Sequence, residues 1–184
     1  NLFFYLLDKN KEDKILKKLL RSNIKKKDTI ASRYLFIQNY INTWSQKNHY
    51  QNAKKLSIYF SKLETLDLKK INFDQNKKIK IGFVSKDLYE NHPLSYFVSS
   101  IFKYWDKDLF EINVYSFASK DNLNLKKNVS KWDNLKNINN QEVVKKIQSD
   151  KIQILIDLMG HTSGNRIEIF NSRISPMQVS WLAY

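Results

Sequence analysis

"KIKIGFVSKDLYENHPLSYF", residues 78–97, is where the chain changes character. Its first third is apolar at Ile79, Ile81, Phe83 and Val84, the pattern of a buried β-strand. Its end places a histidine and a proline ahead of an amphipathic run, with Leu94, Phe97, Val98, Ile101, Phe102 and Trp105 at helical spacing. Proline is favoured as the first helical residue, so Pro93 opens the helix and His92 caps it. Strand, loop and helix in that order begin a β-α-β unit. Open sheets built this way bind ligands beyond the carboxyl ends of their strands, one loop away from His92. The positive end of the helix favours a neutral imidazole, which can accept a proton or a hydrogen bond near an anionic ligand. The plainer alternative is a capping histidine with no chemistry.

Downstream the alternation continues. "FEINVYSF" (110–117) reads as a strand, residues 121–132 are polar and weak in signal, and "WDNLKNI" is a short strand. "NQEVVKKIQSD" reads as a helix capped by Asn140, "IQILIDL" (152–158) as a strand covered on both faces, and "MQVSWLAY" as a last strand. The expectation is an α/β fold with a parallel, doubly wound sheet over residues 76–184. Upstream, residues 1–75 contain neither glycine nor proline and read as helices. Ile15, Leu16, Leu19 and Leu20 form one apolar face; Tyr34, Leu35, Ile37, Tyr40, Trp44, Leu56, Tyr59, Phe60 and Leu63 supply further core; Asp28 or Thr29 caps the second segment. "NFDQNKK" (72–78) is a polar linker.

Several classes of function fall away. With no cysteine there is no disulfide framework, thiolate metal site or thiol nucleophile. No apolar run reaches the ~20 residues of a membrane helix, and "NLFFYLL" lacks the basic leader and cleavage site of a signal peptide, so a cytoplasmic location without membrane partners is expected. The net charge of +14 invites a nucleic-acid partner, but its distribution argues against one. Residues 1–80 hold 19 Lys/Arg against 7 Asp/Glu, whereas residues 81–184 hold 13 against 11. The excess reads as a solvated lysine face on the helical segment. GxGxxG, GxxxxGK[ST] and GxSxG motifs are absent.

A second candidate cluster is "DLMGHTSGNR" (157–166), which follows another strand and opens on the same rim. Gly160 and Gly164 flank His161 and permit close approach of a ligand to the backbone. Thr162 and Ser163 add hydroxyls, and Arg166 adds a charge near a helix start. Two histidines without a third ligand do not make a metal site. The plainer alternative is an ordinary strand–helix turn with Asp157 hydrogen-bonded locally.

Taken in order across residues 79–184, "IKIGFVSKDLYENHPLSYF", "FEINVYSF", "ILIDLMGHTSGNRIEIF" and "RISPMQVSWLAY" resemble the N-terminal half of the catalytic region of O-linked N-acetylglucosamine transferases and their SPINDLY-like relatives. "SRYLFIQNY" is similar to the family's link between helical repeats and catalytic region. The resemblance implies one Rossmann-like lobe of a two-lobed glycosyltransferase, preceded by a helical extension and, further upstream, helical repeats. It implies inverting, metal-independent transfer of a sugar from a nucleotide donor, UDP-N-acetylglucosamine or GDP-fucose, to Ser/Thr hydroxyls of protein acceptors, with no other cofactor. It maps the family's active-site histidine onto His92. Pro93, Gly160, His161, Thr162 and Arg166 become substrate-binding candidates. It also implies a nucleotide-binding lobe beyond Tyr184, without which the chain is inactive. Three positions depart from the family: Leu88 replaces an aromatic, Met159 interrupts an Asn-Gly-type step, and Ala183 replaces glycine. The alternatives are a basic helical module binding nucleic acid or acidic proteins, and a scaffold that has lost catalysis.

Overall fold

The computed structural model describes residues 9–41, 45–60, 63 and 77–182. The chain forms two compact units. Of the described residues, the first holds 9–41, 45–60 and His161–Ser163, and the second holds 63, 77–160 and 164–182.

The described part of the first unit is helical, with α1 (Lys9–Arg21), α2 (Lys27–Gln38), α3 (Gln46–Leu56) and a 3-10 turn (Ser57–Tyr59). Leu16 and Leu20, one turn apart, are buried, as are Ala31, Tyr34, Leu35 and Ile37 of α2 and Phe60. Arg33 of α2 pairs with Glu12 of α1. The predicted apolar face of α1 is too wide: Ile15 is 59% exposed. The buried row runs through Asp13, Leu16 and Leu20, and Ile15 lies to one side of it. Tyr40, just past the end of α2, is also exposed rather than core. The start of α2 is corrected too. Asp28 and Thr29 already lie inside its first turn; the cap is Lys26 in a left-handed conformation without a side-chain bond. Trp44 and residues 72–76 of the polar linker lie outside the described residues.

The second unit is a five-stranded sheet in the order β3-β2-β1-β4-β5, with every pairing parallel. Its elements are β1 (Ile79–Ser85), α4 (Pro93–Tyr104), β2 (Phe110–Ser116), α5 (Leu123–Lys126), β3 (Lys131–Asn134), α6 (Asn140–Ser149), β4 (Ile154–Asp157), α7 (Ile167–Asn171) and β5 (Met177–Ser180). Side chains alternate along a strand, so neighbouring residues of β1 serve opposite faces. Phe83 packs with Leu94, Val98 and Phe102 of α4 and Leu125 of α5. Val84 packs with Val143, Val144 and Ile147 of α6 and Ile169 of α7. The sheet is therefore doubly wound. Right-handed crossovers require this: the chain moves one way from β1 to β3, then jumps back past β1 to β4, and the helices change face. Gly82 sits where β1 meets the second layer, and a Cβ there would lie 2.9 Å from Leu155 Cδ1.

Two predictions about helices need correction. In α4 Leu94, Ser95, Val98 and Phe102 are buried, while Phe97 is 64% and Ile101 38% exposed; both lie round the helix from the Leu94–Val98–Phe102 row. The cap of α6 is Asn139, whose side chain accepts from the Glu142 N–H at 2.9 Å, and Asn140 is the first helical residue.

Candidate functional site

The reversal of strand order falls between β1 and β4, and the loops leaving their carboxyl ends diverge there. The β1 loop carries His92. As the sequence predicts, His92 is the cap of α4 and Pro93 its first residue. The Leu94 N–H donates to His92 Nδ1 at 3.2 Å. The ring lies beside Tyr89, with centroids 4.9 Å apart. Its Nε2 is 3.9 Å from Asp87 Oδ2, beyond hydrogen-bond range. A nitrogen that accepts cannot carry the proton, so the neutral ring bears its hydrogen on Nε2. Among the described residues that nitrogen has no hydrogen-bond partner.

The β4 loop is organised by Asp157, which is buried at the strand end. Its Oδ1 accepts from the Met159 N–H at 2.8 Å and its Oδ2 from the Gly160 N–H at 3.1 Å. Burial pushes this carboxyl above its ordinary range, and the two N–H groups only partly offset the effect. Gly160 follows at φ 51°, where a side chain is disfavoured. His161 and Thr162 then belong to the first unit. His161 Nδ1 is 2.9 Å from Ser32 Oγ of α2, and its ring packs near Phe60. Burial lowers its pKa to about 4, so it is neutral at physiological pH.

Arg166 returns to the second unit. Its guanidinium stacks on the Phe117 ring, 4.1 Å from the centroid. It donates to Ile138 O at 2.6 Å, Asn140 Oδ1 at 2.9 Å and Lys136 O at 3.1 Å. Burial lowers its pKa, against a smaller opposing effect of the Glu168 charge. Arg166 lines a cavity of about 550 Å³ with Lys86, Tyr89, Phe117, Ser119, Lys120, Lys136 and Gly164. These residues come from the loops after β1, β2, β3 and β4. A volume of this size is typical of ligand sites.

Of the six candidates read from the sequence, His92 and Pro93 share the α4 start, and Arg166 lines a cavity that also contains Tyr89, the ring neighbour of His92. Gly160 is tied to Asp157, while His161 and Thr162 group with the helical unit. Lys86, Tyr89, Lys120 and Lys136 were not singled out. The available signal was positional: each lies within five residues of the carboxyl end of β1, β2 or β3.

Residues 42–184 match the family model described as "Glycosyl transferase family 41". Among similar proteins is the Arabidopsis thaliana "Probable UDP-N-acetylglucosamine--peptide N-acetylglucosaminyltransferase SEC", 34% identical over 59% of this chain and 11% of the relative. The Caenorhabditis elegans UDP-N-acetylglucosamine--peptide N-acetylglucosaminyltransferase is 32% identical over 72% of this chain and 12% of the relative. The Petunia hybrida SPINDLY protein is 29% identical over 82% of this chain and 17% of its own length. A solved mutant form of the Thermobaculum terrenum O-GlcNAc transferase shares the fold, with a TM-score of 0.84 at 22% identity, over 96% of this chain and 34% of that one. The chain thus spans under a fifth of these curated relatives and about a third of the solved structure.

Proposed function

The chain belongs to glycosyl transferase family 41, and on that premise we propose that it is the His92-bearing lobe of a protein O-glycosyltransferase. The observation that carries this reading is the placement of His92 at the head of α4, beside the point where strand order reverses. The reaction is a single displacement. A Ser or Thr hydroxyl oxygen of the acceptor bonds to the anomeric carbon of the donor sugar, and the bond from that carbon to the nucleotide phosphate oxygen breaks. The hydroxyl proton passes to solvent water or to the departing diphosphate, and the nucleoside diphosphate leaves with the bonding pair, inverting the anomeric centre. No metal ion takes part on this reading. N-acetylglucosamine carried by UDP is the donor in the names of the relatives, and we carry it over to this chain as the first donor to test.

The hydrogen-bond pattern favours one role for His92. With Nδ1 accepting from Leu94, the ring presents a donor at Nε2. It is suited to hold an oxygen of the sugar or acceptor, because Nε2 with its hydrogen has no lone pair free to take a proton and the basic nitrogen, Nδ1, is occupied by Leu94. Acting as a base would require the ring to release the α4 cap. His92 is therefore assigned a positioning hydrogen bond to substrate, a contribution of the kind that fixes attack geometry.

The test is a chimera in which this chain replaces the corresponding third of the Thermobaculum terrenum enzyme, assayed for sugar transfer to a peptide from UDP-N-acetylglucosamine and from GDP-fucose. Transfer that falls at least about a hundred-fold in His92→Ala supports the assignment. Undiminished kcat in that variant would sink it. Incorporation from GDP-fucose alone would overturn the donor and leave the reaction class standing.

A further inference from the structure

The cavity that takes in Tyr89, the ring neighbour of His92, combines a cationic lining with aromatic walls. Four of its eight lining residues, Lys86, Lys120, Lys136 and Arg166, are cationic, and none carries a carboxylate. Three of the acids near these residues in sequence have other partners. Asp121 bonds Lys126 and Asn134, Glu168 accepts from Asn140, and Asp87 faces His92. The half-buried Arg166 is held by two backbone carbonyls and an amide oxygen, which orient the guanidinium without neutralising it. Lys120 and Lys136 are exposed and form no ion pair among the described residues. Lys86 lies across Gly164 so closely that a Cβ there would stand 2.6 Å from Nζ, so the glycine at φ 78° is what admits the lysine. Phe117 and Tyr89 supply flat apolar walls. A bare inorganic anion would leave most of about 550 Å³ empty. An anion on an apolar stem, carried by an extended backbone, fills the space and meets both the cations and the rings.

We propose that this cavity is an acceptor subsite, taking an anionic side chain of the polypeptide substrate (the carboxylate of Glu or Asp, or a phosphorylated Ser) close to the hydroxyl that is glycosylated. It rests on the transferase reading for the source of the ligand. Tyr89 links the two parts, since it lines the cavity and packs its ring against His92. An anion in the subsite places neighbouring residues of the same peptide at the His92 rim. Lys and Arg recognise both anions, and phosphate takes more charge-assisted hydrogen bonds than carboxylate does.

The experiment is direct binding, by isothermal titration or amide chemical shifts, of three short peptides to the 184-residue chain. Each contains one free serine; they differ at a nearby position that is alanine, glutamate or phosphoserine. Inorganic phosphate serves as a fourth probe. The proposal expects either anionic peptide to bind about ten-fold more tightly than the neutral one, with affinity falling as salt rises. It expects the advantage to vanish in Lys120→Glu/Lys136→Glu, whose exposed side chains leave the fold intact by circular dichroism. Whichever anionic peptide binds better identifies the anion. Equal binding of all three peptides, or an advantage that survives charge reversal, overturns the proposal. Binding of inorganic phosphate without any peptide preference overturns the acceptor source. Because no transfer is measured, failure of the catalytic reading is registered separately, in the chimera.

Discussion

The backbone N–H of Leu94 donates to Nδ1 of His92 at 3.2 Å, so a single ring both caps α4 and turns its other nitrogen outward. The two duties can be separated. Asn is a good cap and has no imidazole. His92→Asn should leave the thermal stability of the chain nearly unchanged, whereas His92→Ala should cost about 1 kcal/mol through loss of the cap. In the chimera both should lose transfer alike. If activity followed stability instead, with Asn retaining turnover, the histidine would be a cap and nothing more.

His161 makes stability depend on pH. Its pKa in the folded chain is about 4, against an ordinary 6.5, because burial disfavours the charged ring. The unfolded chain therefore binds a proton at mildly acidic pH that the folded chain refuses. Stability is unaffected above roughly pH 7 and declines as pH falls from 6.5 towards 4. At pH 5 the loss amounts to roughly 2 kcal/mol relative to pH 7.5. Urea unfolding of the wild type and His161→Asn at both pH values measures it. The variant should be less stable at pH 7.5, through loss of the Ser32 contact, and its stability should fall less between pH 7.5 and 5. Parallel profiles would mean that His161 ionises freely.

These two histidines show what could be read from sequence. The fate of His92 was legible because proline at a helix start and an apolar strand before it are local signals, and local signals fix a cap. His161 looked equivalent, a histidine between glycines after a strand, yet it packs on Ser32, 129 residues away. Spacing along the chain carries no information about such a partner. The lysines were hidden for the same reason. Lys86, Lys120 and Lys136 are far apart in sequence, and only the parallel register of β1, β2 and β3 brings the loops that bear them together. Periodicity found the apolar positions of α4 correctly but not their burial, since Phe97 belongs to the pattern and not to the row that touches the sheet.

A buried tyrosine supplies a stability test away from the site. Tyr115 of β2 is fully buried, and its hydroxyl donates to Asp150 Oδ2 at 2.8 Å. Burial and the neighbouring carboxylate push the phenol far up, so it remains a donor at all relevant pH. Burial alone would raise Asp150, but hydrogen bonds from Lys131, Tyr115 and Lys146 outweigh it and hold this carboxyl below its usual range. The stabilisation is present above about pH 4 and is lost as pH falls through the lowered value in the folded chain. Asp150→Ala should cost roughly 1–3 kcal/mol, because the phenol O–H is left buried without an acceptor. Asp150→Asn keeps an acceptor and should cost less. Equal urea midpoints for the two variants would show that the hydrogen bond contributes nothing.

Met159 lies in the loop after β4, and its surroundings give it a physical role. Its sulfur lies 3.2 Å from Ser85 Oγ and 3.4 Å from the Lys86 N–H, both at the carboxyl end of β1. Ser85 is fully buried, and its oxygen also accepts from the Asp87 N–H at 2.9 Å. The thioether thus acts as a weak acceptor that joins the two strand ends flanking the reversal of strand order. Leucine has nearly the same volume and no acceptor, so Met159→Leu isolates that function from packing. The expected cost is about 1 kcal/mol in urea unfolding, with faster amide hydrogen exchange at Lys86 and Asp87. Met159→Asn supplies an amide oxygen as acceptor but leaves a smaller, more polar side chain at a buried position. It should protect those amides better than leucine does. Unchanged exchange in Met159→Leu would show that the sulfur fills space without holding the β1 loop.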